Sequence, residues 1–166
     1  HSPVTEKNYQ NPPRVTHYSP GFVKLAFKLN TGLEVNFSAL TPEPSVLCGT
    51  ITFKNQSEAN ITLTHELSFH LLPFGKGKRS HIEKIGIHHL VTAETGDLNP
   101  VLFTTDGPTR GNSPFPALSL PLQLSPGEAH STNWTLVSKS TRDSSFKTAQ
   151  RIISQPWQKA QQEQIM

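Results

Sequence analysis

The 166-residue sequence contains a single cysteine, Cys48, so no internal disulfide can form and its thiol content gives no sign of an oxidising compartment. Charged residues make up only 16% of the chain, and the net charge of +3 is scattered along it. That distribution lacks the basic stripe of a nucleic-acid binder. No window approaches the roughly 20 apolar residues of a membrane span. The first residues, HSPVTEKNYQ, have neither the basic start nor the apolar core of an export signal. Neither a nucleic acid nor a membrane is therefore expected as a partner. There is no G-x-S-x-G elbow, and Gly75-Lys76-Gly77-Lys78-Arg79-Ser80 lacks the order of a phosphate loop and is followed by no helical pattern. What the chain does have is 34% apolar residues with 14 Pro and 10 Gly, the composition of one folded, loop-rich domain.

A period of two runs through the middle. Val23, Leu25, Phe27 and Leu29 alternate with polar residues that include Lys24 and Lys28, which is the signature of a half-buried strand. Asn30-Thr31-Gly32 then fits a short hairpin loop, and Leu33, Val35, Phe37 and Ala39 form the dry side of the returning strand. After Pro42-Glu43-Pro44, a third strand places Leu47, Gly49, Ile51 and Phe53 opposite Cys48, Thr50, Thr52 and Lys54. The polar run Asn55 to Asn60 makes a turn into what reads as the longest strand, with Ile61, Leu63, His65, Leu67, Phe69 and Leu71 on one face. Further on, Leu118, Leu120, Leu122 and Leu124 alternate, with Pro121 marking an edge or a bulge. Ser125-Pro126-Gly127-Glu128 turns that strand into one carrying Thr132, Trp134 and Leu136. Weaker strand patterns lie near Ile85 to Val91 and Val101 to Thr105. Alternation with short turns predicts antiparallel sheets dry on one face, and two such sheets stacked make a mainly β, antiparallel β-sandwich.

At the C-terminal end the period changes. From Asp143 or Ser144 as N-cap, Phe146, Ala149, Ile152 and Ile153 recur at helical spacing, and Pro156 can open a second helix carrying Trp157 and Ala160. The expected organisation is an irregular lead over 1–20, a sandwich over 21–142 and a helical linker over 143–166. His1 in place of Met, and a helical pattern that ends uncapped, read as a segment whose further helical domain would dock on Phe146, Ile152, Ile153 and Trp157.

The chemical candidates are few. His81, His88 and His89, with Glu83 nearby, lack metal spacing, and His88 and His89 would face opposite sides of a strand. His65 reads as a core imidazole, Cys48 as a structural thiol and Trp134 as a core ring. Glu34, Glu66 and Glu83 could in principle supply the carboxyl pair of a glycosidase, but spacing along the chain selects no pair. No catalytic, cofactor-binding or metal-binding residue is assigned. Asn-x-Ser/Thr triplets begin at Asn36, Asn55, Asn60 and Asn133, in a chain rich enough in Ser and Thr for chance to produce them.

Taken together, LEVNFSALTPEPSVLCGTITFKNQSEANITLTHELSFHLLPFG, PALSLPLQLSPGEAHSTNWTLVSKS and SSFKTAQRIISQPWQKAQQEQI resemble one arrangement. It is similar to the N-terminal β-sandwich, or supersandwich, that precedes the helical (α/α)6 barrel in cellobiose phosphorylase-like, cyclic glucan-processing and glucoamylase-like enzymes. The resemblance implies a non-catalytic segment packed on its own catalytic barrel, with a glycan as a further partner and no cofactor. The alternative is a free-standing, immunoglobulin-like module that binds a glycan or protein through an exposed aromatic such as Phe74 or Phe115.

Overall fold

The computed structural model describes residues 6–69, 79–111 and 115–155. Along the chain these form β1 (Tyr9–Ser19), β2 (Phe22–Leu29), β3 (Leu33–Leu40), β4 (Val46–Asn55), β5 (Ile61–Leu67), β6 (His81–Ile85), β7 (His88–Thr92), β8 (Asn99–Thr104), β9 (Thr109–Arg110), β10 (Leu118–Leu124), β11 (Ala129–Lys139) and α1 (Arg142–Ile153). The large sheet has the order β1-β2-β3-β4-β11-β8-β7-β6, and β5-β10-β9 make a small sheet. All neighbours are antiparallel. The fold is the mainly β, antiparallel sandwich that the alternation predicts.

Between the sheets lie Val35, Ile51, Phe53, Leu102, Trp134, Leu118, Leu122 and Leu124. This is the dry face of each strand meeting its counterpart, the burial that drives the two sheets together. Trp134 is indeed a core ring, stacked on Phe37 at 5.4 Å between centroids. The β2–β3 hairpin closes as expected through Gly32, whose amide donates to the Leu29 carbonyl. Two constraints require glycine there: a φ of +85°, and a neighbouring Ser57 Cβ that would lie only 2.8 Å from any Cβ at this position. Gly49 is needed for a different reason: a Cβ would fall 1.8 Å from the Ser38 carbonyl oxygen of the neighbouring strand. Pro121 sits where β9 no longer flanks β10, because β9 pairs only with Leu118 and Ser119.

Four connections carry the chain between the sheets, and Asn55 joins two of them, β4 to β5 and β10 to β11. Its side chain is completely buried. Nδ2 donates to the carbonyls of Ala59 at 2.8 Å and Leu124 at 2.9 Å, while Oδ1 accepts from the Ser57 amide and hydroxyl. Its backbone amide donates to the Glu128 carbonyl, and its carbonyl accepts from Gly127. The side chain's hydrogen-bonding capacity is thus used in full. The same geometry removes Asn55 from the possible glycan acceptors.

Several expectations need correction. Residues 9–19 are not irregular but form β1, one of the two longest strands at 11 residues. It was hidden because it is an edge strand, mostly exposed, interrupted by Pro12 and Pro13 and by register shifts against β2, so no apolar alternation marks it. β5 ends at Leu67 after seven residues and is not the longest strand, and Leu71 lies outside the described residues. The pattern near Ile85 to Val91 is two strands, β6 and β7, folded back at Gly86 and Ile87 with Ile85 opposite His88. On β4 the dry side changes along the strand: Leu47 is 39% exposed, whereas Val46 and Cys48 are buried on the opposite face.

That reversal is explained by α1. The helix lies on the face of the large sheet opposite the small sheet, where Phe146, Ala149 and Ile152 pack with Phe22, Leu40, Val46, Cys48, Leu90, Val101, Phe103 and Val137. Its N-cap is Thr141, whose Oγ1 accepts from the Ser144 amide, so the helix starts ahead of the expected caps Asp143 and Ser144. Buried Ser145 fastens the first turn to the sheet, donating to the Asn99 carbonyl at 2.6 Å and accepting from the Lys139 amide at 2.9 Å. Arg142 pairs with Glu83, and Arg151 with Glu43 at 2.9 Å. The molecule therefore has three layers: small sheet, large sheet, helix.

Replacing Asn55 with Ala is expected to cost about 3 kcal/mol in urea-induced unfolding, because the Leu124 carbonyl is left buried without its donor. A loss under about 1 kcal/mol would show that the two crossings hold without it. Ile152→Ala is expected to cost about 3 kcal/mol and to expose Cys48 to thiol reagents under native conditions. An unchanged labelling rate would mean that the helix does not shield the sheet.

Candidate functional site

The three carboxylates singled out in the sequence stay apart. Glu34 is on β3 and Glu83 on β6, separated by five steps across the large sheet, or about 24 Å. Glu66 is exposed on β5, on the side of the small sheet opposite His65. Glu34 accepts from Asn36 and Gln56, and Glu83 is taken by Arg142. Glu34 and Glu83 lie far beyond the roughly 5–10 Å separation of a glycosidase carboxyl pair, and Glu66 stands on the other sheet.

The histidines also separate. His88 packs edge-on against Phe103 and Phe146 on the helix side, while His89 Nδ1 lies 3.1 Å from the Pro108 carbonyl on the other, the opposed orientation expected of adjacent strand residues. His81 contacts the Arg79 carbonyl. Among the described residues no group of three or more His, Cys, Asp or Glu side chains could hold a metal ion. Cys48 donates to the Leu40 carbonyl at 3.4 Å, and burial, followed by the charge of Glu43, pushes its thiol up to about 12. It is a structural thiol and no nucleophile at neutral pH.

Of the four expected docking residues, Phe146 and Ile152 face the chain's own sheet and are buried there. Ile153 is half-buried against the same cluster. This corrects the expectation that these side chains wait for another domain: the sheet's apolar Val46, Cys48, Val101 and Phe103 needed the cover themselves. Trp157, the proposed helix from Pro156, Phe74 and Gly75 to Lys78 lie outside the described residues. Phe115 is 55% exposed.

Two polar constellations remain. The first lies between the sheets, where His65 packs on Phe53 with ring centroids 4.9 Å apart. His130, opposite Phe53 on β11, brings its Nε2 to 3.3 Å from Thr132 Oγ1 and 3.5 Å from Asp106 Oδ2. Asp106 has a φ of 69°, and its carboxylate also accepts from Thr105 Oγ1. Burial, then the charge of His130, lowers His65 to about 4. The sequence pattern found His65 by its parity, but nothing in it paired His130 with Asp106.

The second constellation is on the outward face of the large sheet beyond the reach of α1. Lys24, Ser38, Thr50 and Asn133 stand in one cross-strand row, and Ala26, Asn36, Thr52 and Ser131 in the next. Thr50 Oγ1 donates to Asn133 Oδ1 at 2.8 Å, and the Thr52 and Ser131 hydroxyls lie 2.8 Å apart. Lys24, Asn36, Ser38, Thr50 and Thr52, with Thr16 at the rim, bound an open depression of about 260 Å³. The sequence marked Lys24, Thr50 and Thr52 as the wet side of their strands; only the register aligns them with the others.

No protein-family model matches the sequence, and no curated protein matches it. Solved structures do share the fold. A bacterial glucoamylase complexed with acarbose superposes with a TM-score of 0.64 at 10% identity over 96% of this chain and 28% of its own. A provisionally assigned kojibiose phosphorylase from the human microbiome gives 0.63 at 16% identity over 84% of this chain and 22% of its own. A provisionally assigned aldose 1-epimerase from Escherichia coli K12 gives 0.52 at 10% identity, covering 76% of this chain and 68% of its own. The chain thus spans about a quarter of the first two. At these identities the likeness is one of fold, the supersandwich that the sequence resembles.

Because His65 takes up a proton less readily in the fold than its ordinary value of 6.5 allows, its contribution to stability is complete above about pH 6.5 and is lost as the pH falls toward 4, by up to about 3 kcal/mol. His65→Leu is expected to flatten the unfolding free energy over that window. An unaltered pH dependence would show that His65 is not the titrating group.

Proposed function

We propose that the chain is the non-catalytic β-sandwich of a carbohydrate-active enzyme, of glycoside hydrolase or phosphorylase type, working beside a helical catalytic barrel. The observation that carries this reading is the glucoamylase comparison, in which nearly the whole chain corresponds to 28% of a much longer enzyme. The separation of Glu34 from Glu83 by five strand steps, with Glu66 on the other sheet, supports it, since glycosidic bond cleavage by two carboxyls needs them side by side. With Phe146 and Ile152 committed to the chain's own sheet, a neighbouring barrel would have to rest on other surface, with Ile153 and Trp157 left from the original set. The epimerase comparison, where the fold fills 68% of the other chain, favours as second reading a free-standing sugar-binding module.

The test combines sequence and assay. Reading the gene past Met166 is expected to reveal several hundred further residues in paired-helix repeats, and an immediate stop would favour the free-standing module. The 166-residue chain alone, incubated with kojibiose or maltotetraose with and without inorganic phosphate, is expected to release neither glucose nor glucose 1-phosphate. Turnover by this chain alone would overturn the proposal.

A further inference from the structure

On the face of the large sheet that carries α1, the rows of β1–β4 and β11 beyond the helix have no covering layer among the described residues. Their chemistry is uneven in a useful way. At one end, Arg14 stands opposite Ala26 on β1 and β2, and Lys24 stands in the adjoining row beside His17. Among the described residues neither Arg14 nor Lys24 meets a carboxylate; Lys24 Nζ lies over the Phe22 ring, 5.6 Å from its centroid. From there the floor continues over β3, β4 and β11 as amides and hydroxyls, Asn36, Thr50, Thr52 and Asn133. Cross-strand hydrogen bonds hold three of these, Thr50 to Asn133 and Thr52 to Ser131. Five strands give the floor a length of about 19 Å. The small side chain of Ala26, between Arg14 and Asn36, leaves room at the basic end.

We propose that this face binds a carboxylated oligosaccharide, a glycan whose units include uronates. Arg14 and Lys24, which meet no carboxylate among the described residues, would take the carboxylates through charge-assisted hydrogen bonds. The amide and hydroxyl floor both donates and accepts, which suits sugar hydroxyls along a chain and not a compact inorganic anion, for which donors alone should converge. Holding the floor side chains in place before the ligand arrives reduces the ordering cost of binding. The inference rests on the carbohydrate reading above and names a ligand class for it.

The test is titration of the isotopically labelled 166-residue chain with tetragalacturonate, followed by backbone amide shifts. Saturable shifts confined to β1–β4 and β11 are expected, with affinity weakened about tenfold by Lys24→Gln or by Arg14→Gln and falling as salt is added. Arg14 is exposed on the edge strand, so its variant keeps the test alive if Lys24→Gln disturbs the sheet. Thr52→Val, with a circular dichroism check of the fold, is expected to weaken binding without altering its salt dependence. Equal affinity for maltotetraose would overturn the role of the cations, and equal affinity for a tetranucleotide would overturn the choice of a glycan. Absence of saturable shifts at millimolar ligand would overturn the site itself. None of these results touches the test of the accessory role, which depends on the downstream gene and on turnover.

Discussion

The join at Asn55 is the constraint on which the rest of the structure depends. A sandwich is stable only if its two sheets stay in register with each other, and hydrophobic contact alone is non-directional. Here the β4–β5 and β10–β11 crossings pass between the sheets at the same place, and one buried amide takes a carbonyl from each while its own backbone is clasped by Gly127 and Glu128. An apolar residue of the same size would keep the contact area but leave the Leu124 carbonyl unsatisfied inside the protein. The position of β5 and β10 over Val35, Ile51 and Phe53, and with it the enclosure of His65, follows from that fixed corner.

On the other side of the large sheet the same logic works through a helix. Strands β4, β8 and β11 are apolar on both faces where α1 crosses them and on one face elsewhere, as the change from Val46 and Cys48 to Thr50 and Thr52 along a single strand shows. Ser145, bonded to Asn99 and Lys139, sets where the helix begins, and the pairs Arg142–Glu83 and Arg151–Glu43 lie along its exposed margin. Such exposed pairs add little to stability. The docking rests on Phe146, Ala149 and Ile152, whose burial removes most of the apolar surface in this layer.

These features also explain how much was legible in the sequence. Alternation located β2, β3, β4, β10 and β11 because each has a dry side against the small or large sheet, and the turn residues at Gly32 and Pro126-Gly127 marked their ends. It missed β1, whose residues are stabilised by backbone pairing with β2 and scarcely by burial. It assigned α1 correctly as a helix but sent its apolar face elsewhere, because Val46, Cys48, Val101 and Val137 gave no separate sign of needing cover: each sits in a strand whose other face is apolar as well. His65 stood out by parity, whereas the Asp106–His130 contact joins a loop to a strand 24 positions away and leaves no local pattern.

The outward row of polar residues shows why register carries functional information that composition does not. Thr50, Thr52, Asn36 and Asn133 are ordinary one at a time, since a wet strand face is expected to be polar. They become a surface because antiparallel pairing places β2, β3, β4 and β11 with Lys24, Ser38, Thr50 and Asn133 in one line, and because α1 stops short of that line. If the helix extended its cover over Thr50 and Thr52, their hydroxyls would have to be satisfied by the helix or be lost to burial. The sequence avoids that conflict by turning apolar residues toward α1 only where α1 lies. The same division that stabilises the third layer therefore leaves the neighbouring rows uncovered by α1, aligned and bordered by Arg14 and Lys24.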